Sequence, residues 1–160
     1  MRKLVVAIAA AWIAAQADLA RAADPTGRWL DESGNGHVEI YRCSETRPIS
    51  DAELLEWMCK KAKSNAPLLC ARVASITEAG KAELIKEGKK ASEVLNKPVL
   101  CLRPPTSTEP RWTGGVYSVY LDVRADAYVS LEGTEKLLVK GCKLFESRWT
   151  CEEETWTRAP

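Results

Sequence analysis

The chain holds one histidine, His37, and six cysteines: Cys43, Cys59, Cys70, Cys101, Cys142 and Cys151. Nucleophilic hydrolysis by a Ser-His-Asp set would have to use His37, which follows Gly36 just after a turn cluster. No G-x-S-x-G motif supplies a serine for it, so His37 reads as a solvent-facing strand residue. Glu39 and Glu153 are a conceivable pair of carboxylates for glycosidic chemistry, but any β-rich chain this acidic offers such pairs. Gly114-Gly115 lacks the lysine and helix that complete a phosphate loop. No residue constellation points to catalysis, and no enzyme activity or cofactor is expected.

The cysteines carry the clearest chemistry. None lies at C-x-x-C spacing and there is a single histidine, so a zinc site is not expected. An even count in an exported chain points to disulfides. Six cysteines allow 15 pairings, of which the preferred set is Cys43–Cys70, Cys59–Cys101 and Cys142–Cys151. Closing the Cys43–Cys70 loop contributes about 3–4 kcal/mol in the chain-entropy argument. Oxidised cysteines are not nucleophiles.

Export is read from the first 22 residues. Arg2 and Lys3 precede an apolar run from Leu4 to Ala17, too short for a spanning helix. Ala20-Arg21-Ala22 places small residues at −3 and −1, so cleavage is expected after Ala22. The mature domain, 23–160, retains 160 − 22 = 138 residues, enough for one core. The leader removes Arg2, Lys3, Arg21 and Asp18 from 23 basic and 22 acidic residues, leaving 20 against 21. A nearly neutral surface gives no reason to expect nucleic acid as a partner. No second apolar run predicts a membrane anchor after cleavage. The expected location is periplasmic or secreted.

The aromatic residues are the other candidates for function. Trp29, Trp112, Trp149 and Trp156 all fall on predicted strands and could simply fill a core. Alternatively Trp112, Tyr117 and Tyr128 line a barrel mouth that accepts a small apolar molecule.

The elements that position these residues are mostly strands. Thr26–Asp31 and His37–Cys43 flank the turn Ser33-Gly34-Asn35-Gly36 and read as a hairpin. Within the second strand, Val38 and Ile40 alternate with His37, Glu39 and Tyr41. A helix over about 50–66 is signalled by Ser50 as N-cap, Glu53 completing a capping box, and Ile49 and Leu54 as a staple. Leu54, Leu55, Met58 and Ala62 form its apolar face, with Cys59 beside it. After a strand at 68–76, a second helix is predicted over about 78–96, with Leu84, Gly88, Ala91 and Leu95 on one stripe. Strands follow at 99–103, 111–120, 126–132, 136–142 and 148–158. Gly114-Gly115 suggests a bulge or sharp bend. Within Glu152-Glu153-Glu154, alternation allows Glu153 to face inward or lie at a rim, a solvated face being the plainer reading. About eight strands joined by hairpins predict an antiparallel meander, which hides its edges best by closing. The expected fold is therefore mainly β: a barrel of about eight strands with two inserted helices.

Several stretches together resemble the DUF2147 family of exported bacterial proteins. They are Gly27-Arg28-Trp29-Leu30, Val38 to Cys43, Leu69 to Val73, Trp112-Thr113-Gly114-Gly115, Leu138 to Cys142 and Thr155 to Arg158. The resemblance implies a lipocalin-like barrel and says little about activity. It departs at 44–67, where a helix replaces a short turn, at Ala71, where the family usually has Gly, and at the additional Cys59, Cys101 and Cys151. It also implies a barrel floor: Gly27 and Trp29 on the first strand, with Arg158 from the last strand packed across the indole. Two functions stay open. One is binding of a small apolar ligand, which an interior void of about 300 Å³ or more would favour. The other is an envelope protein-interaction module with a filled barrel, using Trp57 of the inserted helix as an anchor.

Overall fold

A computed structural model describes residues 24–160; the expected export segment, 1–22, lies outside them. Eight antiparallel strands close into a barrel in sequence order. They are β1 (Gly27–Leu30), β2 (Gly36–Arg42), β3 (Leu69–Ile76), β4 (Pro98–Arg103), β5 (Trp112–Ser118), β6 (Val123–Glu132), β7 (Lys136–Phe145) and β8 (Arg148–Arg158). Three helices interrupt them: α1 (Ala52–Ala62), α2 (Glu78–Lys86) and α3 (Ala91–Val94). The chain is thus the expected mainly-β barrel. No helix among the described residues is long and apolar enough to cross a membrane.

Period-two alternation sorts the strand residues into an inner and an outer set. The inner set forms the main core, including Trp29, Ile40, Leu69, Leu100, Leu102, Val129 and Leu137. Closure is uneven. The long β7–β8 ladder runs from Lys136↔Thr157 to Phe145↔Arg148. The β1–β8 seam pairs only Trp29↔Arg158 and Leu30↔Thr157. Most of β8 is therefore bonded along one edge only.

A second apolar cluster lies outside the barrel. Tyr41, Cys70 and Cys101 point outward from β2, β3 and β4, and α1 covers them with Leu54 and Met58. This explains Tyr41, which alternation assigned to the polar face: it is 5% exposed because the inserted helix roofs it. The helix starts one residue later than expected. Asp51, not Ser50, is the N-cap, its carboxylate accepting from the Leu54 amide at 3.0 Å. That carboxylate also binds Lys97 at 3.1 Å, which links the cap to the segment leading into β4. Ser50 instead donates its backbone N–H to Asn96 O at 3.1 Å.

Two other expectations are corrected. The predicted helix over 78–96 breaks into α2 and α3, because Gly88 adopts φ +69° and ends the first segment. Leu84 and Val94 are the buried residues of this region, and Leu95 points outward at 39% exposure. Gly114 and Gly115 form no bulge; β5 keeps continuous register with β4 and β6. Their lack of side chains serves close approach instead. A Cβ on Gly114 would lie 1.9 Å from Cys101 O, and one on Gly115 would lie 2.6 Å from Met58 Cα. The second glycine lets α1 sit directly on the sheet.

The disulfides are the expected set: Cys43–Cys70, Cys59–Cys101 and Cys142–Cys151. The first two tie the ends of the α1 insertion and the helix itself to β3 and β4. The third crosses the outer face of the β7–β8 ladder, where Cys142 and Cys151 are direct partners.

Candidate functional site

One end of the barrel is plugged. Arg158 lies over Trp29 with its guanidinium carbon 4.2 Å from the ring centre. Its Nε donates to Thr134 O at 2.7 Å and its Nη1 to Thr26 O at 3.0 Å. The indole is fully buried and donates to Pro25 O at 2.9 Å. Gly27, at φ +124°, leaves room for the guanidinium: a Cβ there would meet Arg158 Nη1 at 2.8 Å. The arginine thus binds three chain segments at the floor: the N-terminal stretch, the β6–β7 turn and β1 itself.

The opposite end opens into a cavity of about 490 Å³. Its wall is largely valine, with Val38, Val73, Val99, Val116 and Val139 drawn from five strands. Trp156, 5% exposed, also lines it, two residues before Arg158 on the same face of β8. The rim comes from the β5–β6 turn and the ends of β2, β3 and β7. Small residues create the void. Ala125 and Gly141 stand on inner positions of β6 and β7, where a larger side chain would project into the lumen.

The three aromatic residues proposed for the mouth are not gathered there. Trp112 faces inward opposite Val129, but toward the plugged end, packed on the main core. Tyr128 faces outward, with Arg111 stacked 4.5 Å above its ring. Tyr117 reaches the cavity rim, yet its ring belongs to the outer cluster under α1. Burial, together with the hydrogen bond to Asp122 at 2.8 Å, pushes its phenol up to about 12. Tyr120 is a tyrosine that the sequence did not single out. It lines the cavity, and burial with the nearby Asp31 charge raises its phenol to about 12, so it stays neutral. Val38 was legible as inward from its alternation; the other valines of the lining, and which end stays unfilled, were not.

The polar side of the cavity is β8. Thr150, Glu152 and Glu154 line it from successive inner positions, and Trp156 Nε1 donates to Glu154 Oε2 at 3.0 Å. Glu153 pairs with Lys140 on the outer face, so the two flanking glutamates, not the middle one, turn toward the lumen. Glu39 is likewise on the outer face. It accepts from Arg47 at 2.9 Å and is bridged by Arg72 at 2.8 Å. Burial pushes the Glu39 carboxyl up, but the hydrogen bonds and charges of Arg47 and Arg72 outweigh it and hold it below its ordinary value. These three residues belong to a shallow outer groove of about 580 Å³. Its arginines are largely engaged: Arg47 and Arg72 by Glu39, and Arg42 by Asp24.

His37 lies at the mouth, half-buried, with Nδ1 3.1 Å from Ser75 Oγ. Burial, reinforced by Arg28, lowers its proton affinity. Arg28 also donates to Ser75 Oγ, and among the described residues no carboxylate hydrogen-bonds the imidazole. The sulfurs of Cys43, Cys59, Cys70 and Cys101 all lie within 4.8 Å of one another. Joined as two disulfides, they carry no thiolate to bind a metal. Gly27, Trp29 and Arg158 meet at the floor, then, while of the three aromatic residues expected to hold a ligand only Tyr117 reaches the cavity. Comparison of the chain with protein-family models, with curated proteins and with solved structures gave no match.

Proposed function

We propose that this chain is an exported protein, periplasmic or secreted, that takes a small, mostly apolar molecule into the open end of its barrel. The carrying observation is the valine-walled cavity of about 490 Å³, within the roughly 300–1,000 Å³ range of small-molecule sites. Its position supports the same reading: the far end is stoppered by Trp29 and Arg158, so a ligand would not enter there. An interaction module around a filled barrel predicts a packed interior, and its intended anchor, Trp57, is flanked by Lys61 at 5.6 Å and Arg124 at 5.4 Å. Membership of the DUF2147 family, as a divergent member with a helical insertion, is part of this proposal. It rests on the motifs from Gly27 to Arg158 and fits a lipocalin-like barrel. Three disulfides suit an oxidising compartment.

The test is native mass spectrometry of gently purified protein, with and without added N-phenyl-1-naphthylamine, a neutral apolar probe. Bound mass is expected for the natural protein. Ala125→Phe, which fills the lumen from β6, should lose it while keeping a β-rich circular-dichroism spectrum. Apo mass alone under all conditions would reject the reading.

A further inference from the structure

The cavity is apolar on most of its circumference and acidic on one strand. Among its charged lining residues, Asp31, Glu152 and Glu154 oppose Lys143 and His37. These are not equivalent. Asp31 Oδ1 is occupied by Ser33 Oγ and the Asn35 amide, both at 2.9 Å, and so serves the β1–β2 turn. His37 has its proton affinity lowered by burial and by Arg28, so it adds little positive charge near neutral pH. Lys143 sits opposite Thr150, further toward the hairpin tip than either glutamate. Of the cavity's carboxylates on β8, Glu154 lies furthest from the hairpin tip. It stands opposite Val139, which is 5% exposed, and its carboxylate is anchored by the Trp156 indole. Neither Glu152 nor Glu154 takes part in an ion pair among the described residues.

We infer that the cavity selects amphiphiles that carry a positive charge: an alkylammonium whose chain lies on the valine wall and whose cation meets Glu152, Glu154 and the Trp156 ring. This rests on the ligand-binding reading above. The short β1–β8 seam leaves these carboxylates beside solvent, so the cation keeps part of its hydration while the chain is buried. An aromatic face next to a carboxylate is the arrangement that favours ammonium groups over neutral ones. A carboxylate or sulfate headgroup would meet like charge on the same strand and be disfavoured.

Displacement of N-phenyl-1-naphthylamine by decylammonium, decanol and decanoate tests this with one chain length and three headgroups. Decylammonium should bind about fivefold tighter than decanol, the yield of a partly exposed ion pair, with decanoate weakest. The advantage should shrink at high ionic strength. The double substitution Glu152→Gln, Glu154→Gln should level the three while leaving decanol unchanged. Equal binding of decanol and decylammonium, or a preference that survives the double substitution, overturns the inference but leaves the cavity as a binding site. Failure of the probe and all three compounds to bind overturns the cavity reading together with it.

Discussion

Replacing Arg158 should loosen the floor of the barrel without touching the cavity. In Arg158→Met the apolar stem still covers Trp29, so packing is largely kept. What is lost is the cation over the indole at 4.2 Å and two donated hydrogen bonds, to Thr134 O at 2.7 Å and Thr26 O at 3.0 Å. The cation–π contact is worth about 1 kcal/mol on a buried ring. Each bond from a charged donor is worth about 1 kcal/mol when water can partly replace it. The expected loss is therefore about 3 kcal/mol, or roughly 10 °C in Tm for a domain of this size. Arg158→Lys keeps the charge but not the planar fork, which reaches two carbonyls at once, so it should lose about half as much. Urea unfolding followed by tryptophan fluorescence measures both. With a slope near 2 kcal/mol per M, the Met variant's midpoint should fall by about 1.5 M. The only β1–β8 pairs are Trp29↔Arg158 and Leu30↔Thr157, so the variant should also show faster amide exchange on β1. A loss below about 1 kcal/mol for Arg158→Met would refute the idea that this contact closes the barrel.

Three further outcomes follow from the same geometry. Gly115→Ala places a methyl 2.6 Å from Met58 Cα and should cost about 1–3 kcal/mol by lifting α1 off the sheet; unchanged thermal stability would contradict the close docking. Removing the 42-residue link with Cys59→Ala and Cys101→Ala should cost about 4 kcal/mol on the chain-entropy argument, with hydrogen exchange accelerating across 52–62; protection equal to the natural protein would count against it. Glu39 has a carboxyl held below its ordinary 4.5, so it contributes stability that is present above that value and fades as pH falls through the lowered one. Tm of the natural protein should exceed that of Glu39→Gln near pH 7 and approach it near pH 3, and a gap independent of pH would exclude the Arg47–Glu39–Arg72 bridge as its source.

Local chemistry made much of this molecule legible in the amino-acid sequence. Alternation at Val38 and Ile40 reports which face of β2 is inward, because successive strand residues point to opposite sides. The meeting of Gly27, Trp29 and Arg158 at the floor is what the lipocalin-like resemblance implies, and the closed barrel brings them together. The helix signal around Asp51 was right in kind and one residue off, since Ser50 and Asp51 are both good caps and the choice between them was made by Lys97 and Asn96 from another part of the chain. Tertiary structure alone decided the rest. Tyr41 is buried because α1 folds over the outer face, an event no strand period encodes. Gly114 and Gly115 are required by Cys101 and Met58, which are remote in sequence. Trp112, Tyr117 and Tyr128 were expected together at the mouth, yet one faces the plugged end, one serves the outer cluster and one stacks under Arg111. Whether an inward residue meets a neighbour or an empty lumen depends on how far each strand continues past its partners. The cavity lies where Ala125 and Gly141 leave the lumen unfilled, with Glu152 and Glu154 on its acidic side because β8 outruns β1, and these positions meet only when the barrel is closed.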